Sequence, residues 1–250
     1  MSRVPAVERA LAVLRYLAGQ PGPVSAATLA AALGLPRSSV YQLLEAMAEQ
    51  GFVTHLPEER RWGLGVSAFE VGSAYLRHGP MERLARPLLA RLAAALGETV
   101  QLGILHGGET LYLLKEGPGA PTLVTGVGVR LPAYLTASGR AMLARLPRQQ
   151  VRALYPSASA FVTRTGRGPA TPGELRERLA EERRRGWSAE DEEVTEGYAS
   201  VAAAAFDHMG RPSAAIAVTF RTRAHPPGSR AALAEPVQAA ATELTRRLHG

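Results

Sequence analysis

Apolar positions in the first 65 residues recur at helical spacing three times in quick succession, then change to alternation. In "PAVERALAVLRYLAG" the residues Val7, Leu11, Leu14 and Leu17, with Ala10 and Ala18, fall on one face, and Gly19 is placed to end the helix. "SAATLAAALG" begins with Ser25 as an N-cap, turns Leu29 and Leu33 inward and stops at Gly34. In "LGLPRSSVYQLLEAMAEQGFV" the residues Val40, Leu43, Leu44 and Met47 follow at i, i+3, i+4 and i+7. Pro36 suits the first turn of that helix and Gly51 its end. Only "GLP" separates the last two helices, which forces the sharp bend of a helix-turn-helix. "FVTHLPEERRWGLG" then reads as a strand over Phe52 to His55, a turn "LPEER" and a returning strand over Arg61 to Leu64. A hairpin directly after a helix-turn-helix is a winged helix.

"VSAFEVGSAYLRHG" is a further helical pattern with Phe69, Ala74 and Leu76 as apolar points, and Gly79-Pro80 breaks it. Three parts follow: a winged helix over 1–65, a linker helix over 66–80 and a larger domain over 81–250. The larger domain opens with the helix "MERLARPLLARLAAALG", which aligns Leu84, Leu88, Leu92 and Leu96. The two helices at the boundary either form part of a dimer contact or pack within one chain.

From Thr99 the period becomes that of strands. "TVQLGILHGG" and "ETLYLLKEG" read as a hairpin turning at His106-Gly107-Gly108-Glu109, and "PTLVTGVGVRLPAY" as a strand ending near Arg130. "TASGRAMLARL", "PRQQVRALY" and "TPGELRERLAEERRRGW" are helices, the last capped by Thr171. "GYASVAAAAFD" and "RPSAAIAVTF" are strands joined by "HMGR", and a helix closes the chain. This mixture predicts an α+β domain, an antiparallel sheet covered by helices.

The third helix has a polar side, with Arg37, Ser38, Ser39, Tyr41, Gln42 and Glu45 bunched toward its start. On an arbitrary helix this is a solvated surface. In a winged helix the same element lies in the major groove with its first residues nearest the base edges. Ser38 and Ser39 then reach phosphates or bases, Arg37 pairs with phosphate or guanine, and Tyr41 and Gln42 face outward. Free amides at the helix start add phosphate affinity. Arg60 and Arg61 at the wing tip, and Ser25, complete the expected DNA-contacting set, while Glu45 and Glu49 fall on the flank away from DNA. The competing reading is a winged helix that binds protein.

In the larger domain "LPAYLTASGRAML" is the most plausible binding segment. Thr136 can cap the helix, the amides of Ala137, Ser138 and Gly139 then point at whatever lies before it, and Gly139 permits a close backbone approach. Arg130 and Arg140 are candidate countercharges. An ordinary capped helix without ligand fits the same spacing. In "WSAEDEEVTEGYASVAA" the acids Glu190 to Glu193 are adjacent, so they cannot all converge on one ion, no histidine pair accompanies them, and a solvated turn is the better reading for most of them. No cofactor or metal site is expected.

Enzyme signatures are missing. The six histidines show no HxH or HExxH spacing, there is no GxSxG elbow, and "GVGVRL" lacks the third glycine of a dinucleotide loop. Neither Ser138 nor Ser200 has an adjacent base in sequence.

Composition changes the picture little. The 250 residues are 46% hydrophobic, enough for a sizeable core, and carry a net charge of +7 with a pI near 10.3. Six arginines against five glutamates leave +1 in residues 1–65, so +6 lies beyond them; geometry, not net charge, locates the DNA-binding surface. Lys115 is the only lysine, and there is no cysteine, which excludes disulfides and thiolate metal sites. No apolar run is long enough to span a bilayer, and the N-terminus makes a poor signal peptide, so a cytoplasmic protein is expected.

"VERALAVLRYLA", "LGLPRSSVYQLLEAMAEQGFV" and "RRWGLG" resemble, in order, the DNA-binding domain of IclR-family bacterial transcription regulators. "LPAYLTASGRAMLA" and "GWSAEDEEVTEGYASVAAAAFDHMGRPSAAIAVTF" resemble the two segments that line the effector pocket of that family. The resemblance spans nearly the whole chain. It implies a GAF-like sensor domain that binds a small organic acid, a winged helix that mediates dimerisation on an operator, and dimers that often pair into tetramers. Position by position it implies a pocket of Ala137, Ser138, Glu190, Tyr198, Ser200, Ala217 and Thr219. Glu190 stands where many members have a shorter Asp, Tyr198 replaces an aliphatic residue, and Ala217 lacks a hydroxyl that some members offer. These departures speak against a glyoxylate-like ligand and leave the effector open. The alternative is a small-molecule enzyme, or a ligand-free assembly protein with a winged-helix interaction module.

Overall fold

The computed structural model describes residues 4–78, 80–118 and 124–249. The chain divides into two compact units, Met1–His78 and Gly79–Gly250.

The first unit holds α1 (Pro5–Ala18), α2 (Ala26–Leu33), α3 (Arg37–Glu49), a hairpin of β1 (Val53–Leu56) and β2 (Arg61–Leu64), and α4 (Val66–His78). Ser25 Oγ accepts the Thr28 amide at 3.1 Å and caps α2; Gly34 ends it at φ +63°, a left-handed conformation that a side chain would strain. Three residues later the chain is in α3. Val13, Leu17, Leu29, Val40, Leu44, Met47, Val53 and Trp62 share one core. β1 and β2 pair antiparallel from Val53↔Leu64 to Leu56↔Arg61, and Trp62 exchanges backbone hydrogen bonds with Val24 at 2.8 and 2.9 Å. The wing is thereby tied to the segment that leads into α2.

The buried face of α1 differs from the expected one. Val13 and Leu17 are buried, whereas Val7 and Leu11 are 54% and 49% exposed. The helix carries apolar residues on two adjoining faces, and packing against α2 and α3 selects the one that contains Val13. In α4, Phe69 is exposed; the side chain of Leu76 lies outside the described residues, as does Gly79.

The second unit runs α5 (Pro80–Leu96), β3 (Thr99–His106), β4 (Glu109–Glu116), β5 (Arg130–Pro132), α6 (Ala137–Leu143), α7 (Arg148–Leu154), α8 (Pro172–Arg185), β6 (Ser188–Asp191), β7 (Tyr198–Phe206), β8 (Pro212–Arg221) and α9 (Arg230–Leu248). Its strands form one antiparallel sheet in the order β5-β4-β3-β8-β7-β6. Leu88, Leu89 and Leu92 of α5 and Val237 and Leu244 of α9 share a core with Val100, Leu102, Val201, Ile216 and Val218 on one face of the sheet. On the other face Ala137, Ala141 and Met142 of α6 meet Ala202, Ala215 and Ala217. Alternation along each strand sends successive residues to opposite layers, so Ser200 and Ala202 belong to the α6 side and Val201 and Ala203 to the α9 side. The unit is the layered α+β arrangement expected.

Two local expectations are corrected. Residues 124–129 are loop and turn, and β5 begins at Arg130 instead of ending there; residues 121–123 lie outside the described part. The acidic stretch is no solvated turn throughout: Ser188–Asp191 is the edge strand β6, and Glu190 and Glu193 are 3% and 4% exposed. Among the described residues no helix is long and apolar enough to cross a membrane.

Candidate functional site

Two polar sites stand out, one in each unit. On α3 the core side chains Val40, Leu44 and Met47 hold the helix down, while Arg37, Ser38, Tyr41 and Gln42 are exposed and Ser39 is half-buried. No side chain caps the start of α3, so its first-turn amides are open to an anion. Arg60 sits in the wing turn at φ +52° and is exposed. Arg61 is exposed too, but its guanidinium donates to the Pro23 carbonyl at 3.2 Å, turned back along the wing. The Ser25 hydroxyl is engaged within α2, accepting the Thr28 amide and lying 2.8 Å from Thr28 Oγ1.

The second site is a cavity beneath the start of α6. Thr136 caps this helix by accepting the Gly139 amide at 2.9 Å, which uses one of the three amides expected to face a ligand. A Cβ on Gly139 would lie 2.2 Å from the Ala133 carbonyl oxygen, so only glycine lets α6 pass that backbone. Ala137 and Ser138 line the cavity, together with Glu190 of β6, Tyr198 and Ser200 of β7, and Ala217 and Thr219 of β8. Ser138 Oγ is buried beside the Tyr112 phenol and makes no hydrogen bond of ordinary geometry among the described residues. Gly139 lies behind the first turn and Arg130 outside the site: on edge strand β5 it is exposed and 3.7 Å from Glu109.

Arg140 is no countercharge for a ligand either. Fully buried, it donates from Nε to Glu182 Oε1 at 3.1 Å and from Nη1 to Glu193 Oε2 at 2.6 Å and the Tyr134 carbonyl at 2.8 Å; Nη2 reaches the Ala189 carbonyl. Burial alone would lower its pKa, but Glu182 and Glu193 more than offset this and hold the guanidinium charged. Ser188 Oγ donates to Glu182 at 2.9 Å, and Arg178 lies 3.4 Å from Glu193. The hub locks α6, α8 and β6 together.

Glu190 terminates a row of polar side chains. Its Oε1 is 2.7 Å from Ser200 Oγ, which is 2.9 Å from Thr219 Oγ1; Thr219 donates to Gln101 Oε1 at 3.0 Å, and Gln101 Nε2 to Thr125 Oγ1 at 2.5 Å. Burial above all, with the charge of Glu193, raises the Glu190 pKa to about 7, against the opposing pull of Ser200, Arg140 and the Glu193 amide. Burial likewise pushes the Tyr112 phenol up. Tyr112, Thr125, Thr136, Val194 and Thr195 also line the cavity, and sequence reasoning missed them as pocket residues. Of these only Tyr112 carries a sequence signal for the cavity, a polar-tipped residue on a strand whose neighbours are apolar; Thr125, Val194 and Thr195 lie in loops that no spacing ties to the site. Among the described residues no group of three or more histidine or acidic side chains could hold a metal ion.

An open polar recognition helix on a winged helix, in one chain with an α+β unit enclosing a polar cavity, defines the class: a DNA-binding regulator. Residues 6–57 match the IclR helix-turn-helix domain, and residues 73–246 match the bacterial transcriptional regulator IclR C-terminal domain. The chain belongs to the IclR family. It is 32% identical over 220 residues to the transcriptional repressor IclR of Escherichia coli, covering 87% of this chain and 80% of that protein. It is 31% identical to the acetate operon repressor of Salmonella typhimurium over the same shares. The crystal structure of Thermotoga maritima IclR superposes with a TM-score of 0.74 at 26% identity, covering 99% of this chain and 100% of that one. An IclR homologue from Microbacterium hydrocarbonoxydans complexed with 4-hydroxybenzoate shares the fold, with a TM-score of 0.81 at 21% identity, covering 97% and 98%. The named relatives are transcriptional repressors and regulators, not enzymes. The protein is a DNA-binding transcriptional regulator.

Proposed function

We propose that a small organic acid binds beneath α6 and changes the affinity of the protein for its operator. The observation that carries this reading is Ser138 Oγ, buried beside the Tyr112 phenol at a cavity lined from α6 and strands β4, β6, β7 and β8, and without a hydrogen bond of ordinary geometry among the described residues. A buried hydroxyl without a partner costs about 1–3 kcal/mol, a cost that a bound acceptor removes. With Arg130 remote and Arg140 neutralised, a carboxylate there is held by hydrogen-bond donors and not by a free cation. That a homologue of the same fold was solved with 4-hydroxybenzoate supports an organic acid as the ligand class. The cavity itself is narrow, about 10 Å³, roughly room for one water. Acid binding therefore selects a wider arrangement of its walls, and that differential affinity is what a regulator transmits.

In this reading Arg37, Ser38, Ser39, Tyr41 and Gln42 meet the operator, with Arg60 and Arg61 close to the phosphates. Paired half-sites require at least a dimer, which light scattering at micromolar concentration checks. The test of the pocket is a thermal-shift screen of organic acids on the wild type and on Ser138→Trp. A binding acid raises the melting temperature of the wild type in proportion to RT ln(1 + [L]/Kd) and leaves the variant unmoved, with operator affinity retained. A variant that keeps the shift places the ligand elsewhere.

A further inference from the structure

The wall of the cavity formed by β6, β7 and β8 carries hydroxyls but has no hydrogen to give. Ser200 Oγ lies 2.7 Å from Glu190 Oε1 and 2.9 Å from Thr219 Oγ1, and Thr219 Oγ1 lies 3.0 Å from the Gln101 side-chain amide. Each hydroxyl has one hydrogen and two lone pairs. Whichever way the Gln101 amide is turned, the Ser200 hydrogen goes to Glu190 or Thr219, and the Thr219 hydrogen goes to Ser200 or Gln101. Both are used inside the row. What Ser200 and Thr219 hold out to the cavity is therefore lone pairs, and the Glu190 carboxyl beside them adds more.

The wall formed by Ser138 of α6 and Tyr112 of β4 is the reverse. Its two hydroxyls hold two hydrogens, and burial keeps the phenol protonated. A contact between the two uses one of them. Thr136, a third hydroxyl nearby, is committed to the Gly139 amide at 2.9 Å, Thr110 at 2.9 Å and the Ala133 carbonyl at 3.3 Å. One hydrogen is left over, and Ser138 Oγ makes no hydrogen bond of ordinary geometry among the described residues. A carboxylate only accepts, so it fits this wall and finds nothing on the other.

We propose that the effector is an acid with a second group that donates, a hydroxyl or an ammonium, set against Ser200, Thr219 and Glu190, and that acids lacking such a donor are rejected. This rests on the reading that an organic acid occupies the cavity. An oxo group brought to the strand wall would set lone pair against lone pair. A methyl group there would cover acceptors that water otherwise satisfies.

The experiment is isothermal titration calorimetry of the full chain with two matched sets of probes. Lactate, alanine, pyruvate and propionate differ only in the group beside the carboxylate: hydroxyl, ammonium, oxo or hydrogen. The second set, 4-hydroxybenzoate and benzoate, places the donor farther away. Within the set that binds tighter, a donor-bearing acid is expected to bind at least about tenfold tighter than the acids without one. Lactate against alanine then names the donor. Thr219→Val removes an acceptor and is expected to bring that ratio well below its wild-type value, whereas Ser138→Ala weakens donor-bearing and donor-free acids by the same factor. The wild-type ratio alone decides the case if either variant fails to fold. Equal affinity for donor-bearing and donor-free acids overturns the inference and leaves the acid pocket intact. A ratio unchanged in Thr219→Val overturns it also, because the donor is then read elsewhere. Failure of every probe to bind the wild type overturns the acid-pocket reading itself, and the inference with it.

Discussion

The two polar sites of this chain are built in opposite ways. The α3 face is contiguous in sequence, exposed, and supported by Val40, Leu44 and Met47 of the same helix. The cavity collects Tyr112, Ser138, Glu190, Ser200 and Thr219 from separate elements and hides them from solvent. A surface that must meet DNA can afford unpaired polar groups, because water satisfies them until DNA does. A buried site cannot, and each of its groups must find a partner in the protein or in a ligand. Substitutions should therefore act on binding in the first site and on stability, pH response and binding in the second.

The largest effect expected is that of Arg140→Met. It removes the fully buried guanidinium shared by Glu182 and Glu193 and leaves them only the more exposed Arg185 and Arg178, and about 3 kcal/mol of stability should be lost. Chemical denaturation followed through Trp187 in the second unit reads this, with Trp62 as the reporter of the first. A loss under about 1 kcal/mol would show that the hub is not what holds α6, α8 and β6 together.

Next comes the pH dependence of Glu190. Its carboxyl holds a proton more tightly folded, at about 7, than unfolded, near 4.5. The folded state is thus favoured below the unfolded value, and that advantage is lost as pH rises from about 4.5 to about 7, by at most ~3 kcal/mol. Glu190→Gln lacks this term, so the stability of the wild type relative to the variant should fall between about pH 5 and about pH 8. A difference that stays level with pH would mean that the carboxyl is not held protonated.

On α3 the effects are smaller and of another kind. Arg37→Ala and Gln42→Ala should each weaken operator binding by about 1–3 kcal/mol while stability changes by no more than about 0.5 kcal/mol. Ser25→Ala should do the reverse, removing the α2 cap at about 1 kcal/mol of stability with little effect on DNA affinity. A DNA defect in Ser25→Ala larger than its stability defect would put that hydroxyl at the interface after all.

The contrast also explains what the sequence could reveal. The winged helix was legible because its signals are local: a Ser25 cap, a Gly34 stop, a 3.6-residue stripe and a short hairpin. The Thr136 cap was legible for the same reason. Val7 and Leu11 were misassigned because α1 has two adjoining apolar faces and only its tertiary neighbours decide between them. Glu190 and Glu193 looked solvated because the cation that permits their surroundings, Arg140, lies on another helix, and Glu190 meets its hydroxyl partner only when β6 pairs with β7. Gln101 and Thr219 are 118 positions apart, and nothing in their spacing reveals that β3 and β8 are neighbours. The resemblance to a family located pocket positions that periodicity did not reach, although the α6 segment itself was found from its cap.

The most direct measurement is fluorescence anisotropy of the full chain on the DNA upstream of its own gene, titrated with and without each candidate acid. Binding tighter than to random duplex is expected, and at least one acid should shift that affinity by roughly 5- to 150-fold. An affinity no better than for random DNA, or one that no acid moves while an acid demonstrably occupies the cavity, would contradict the account.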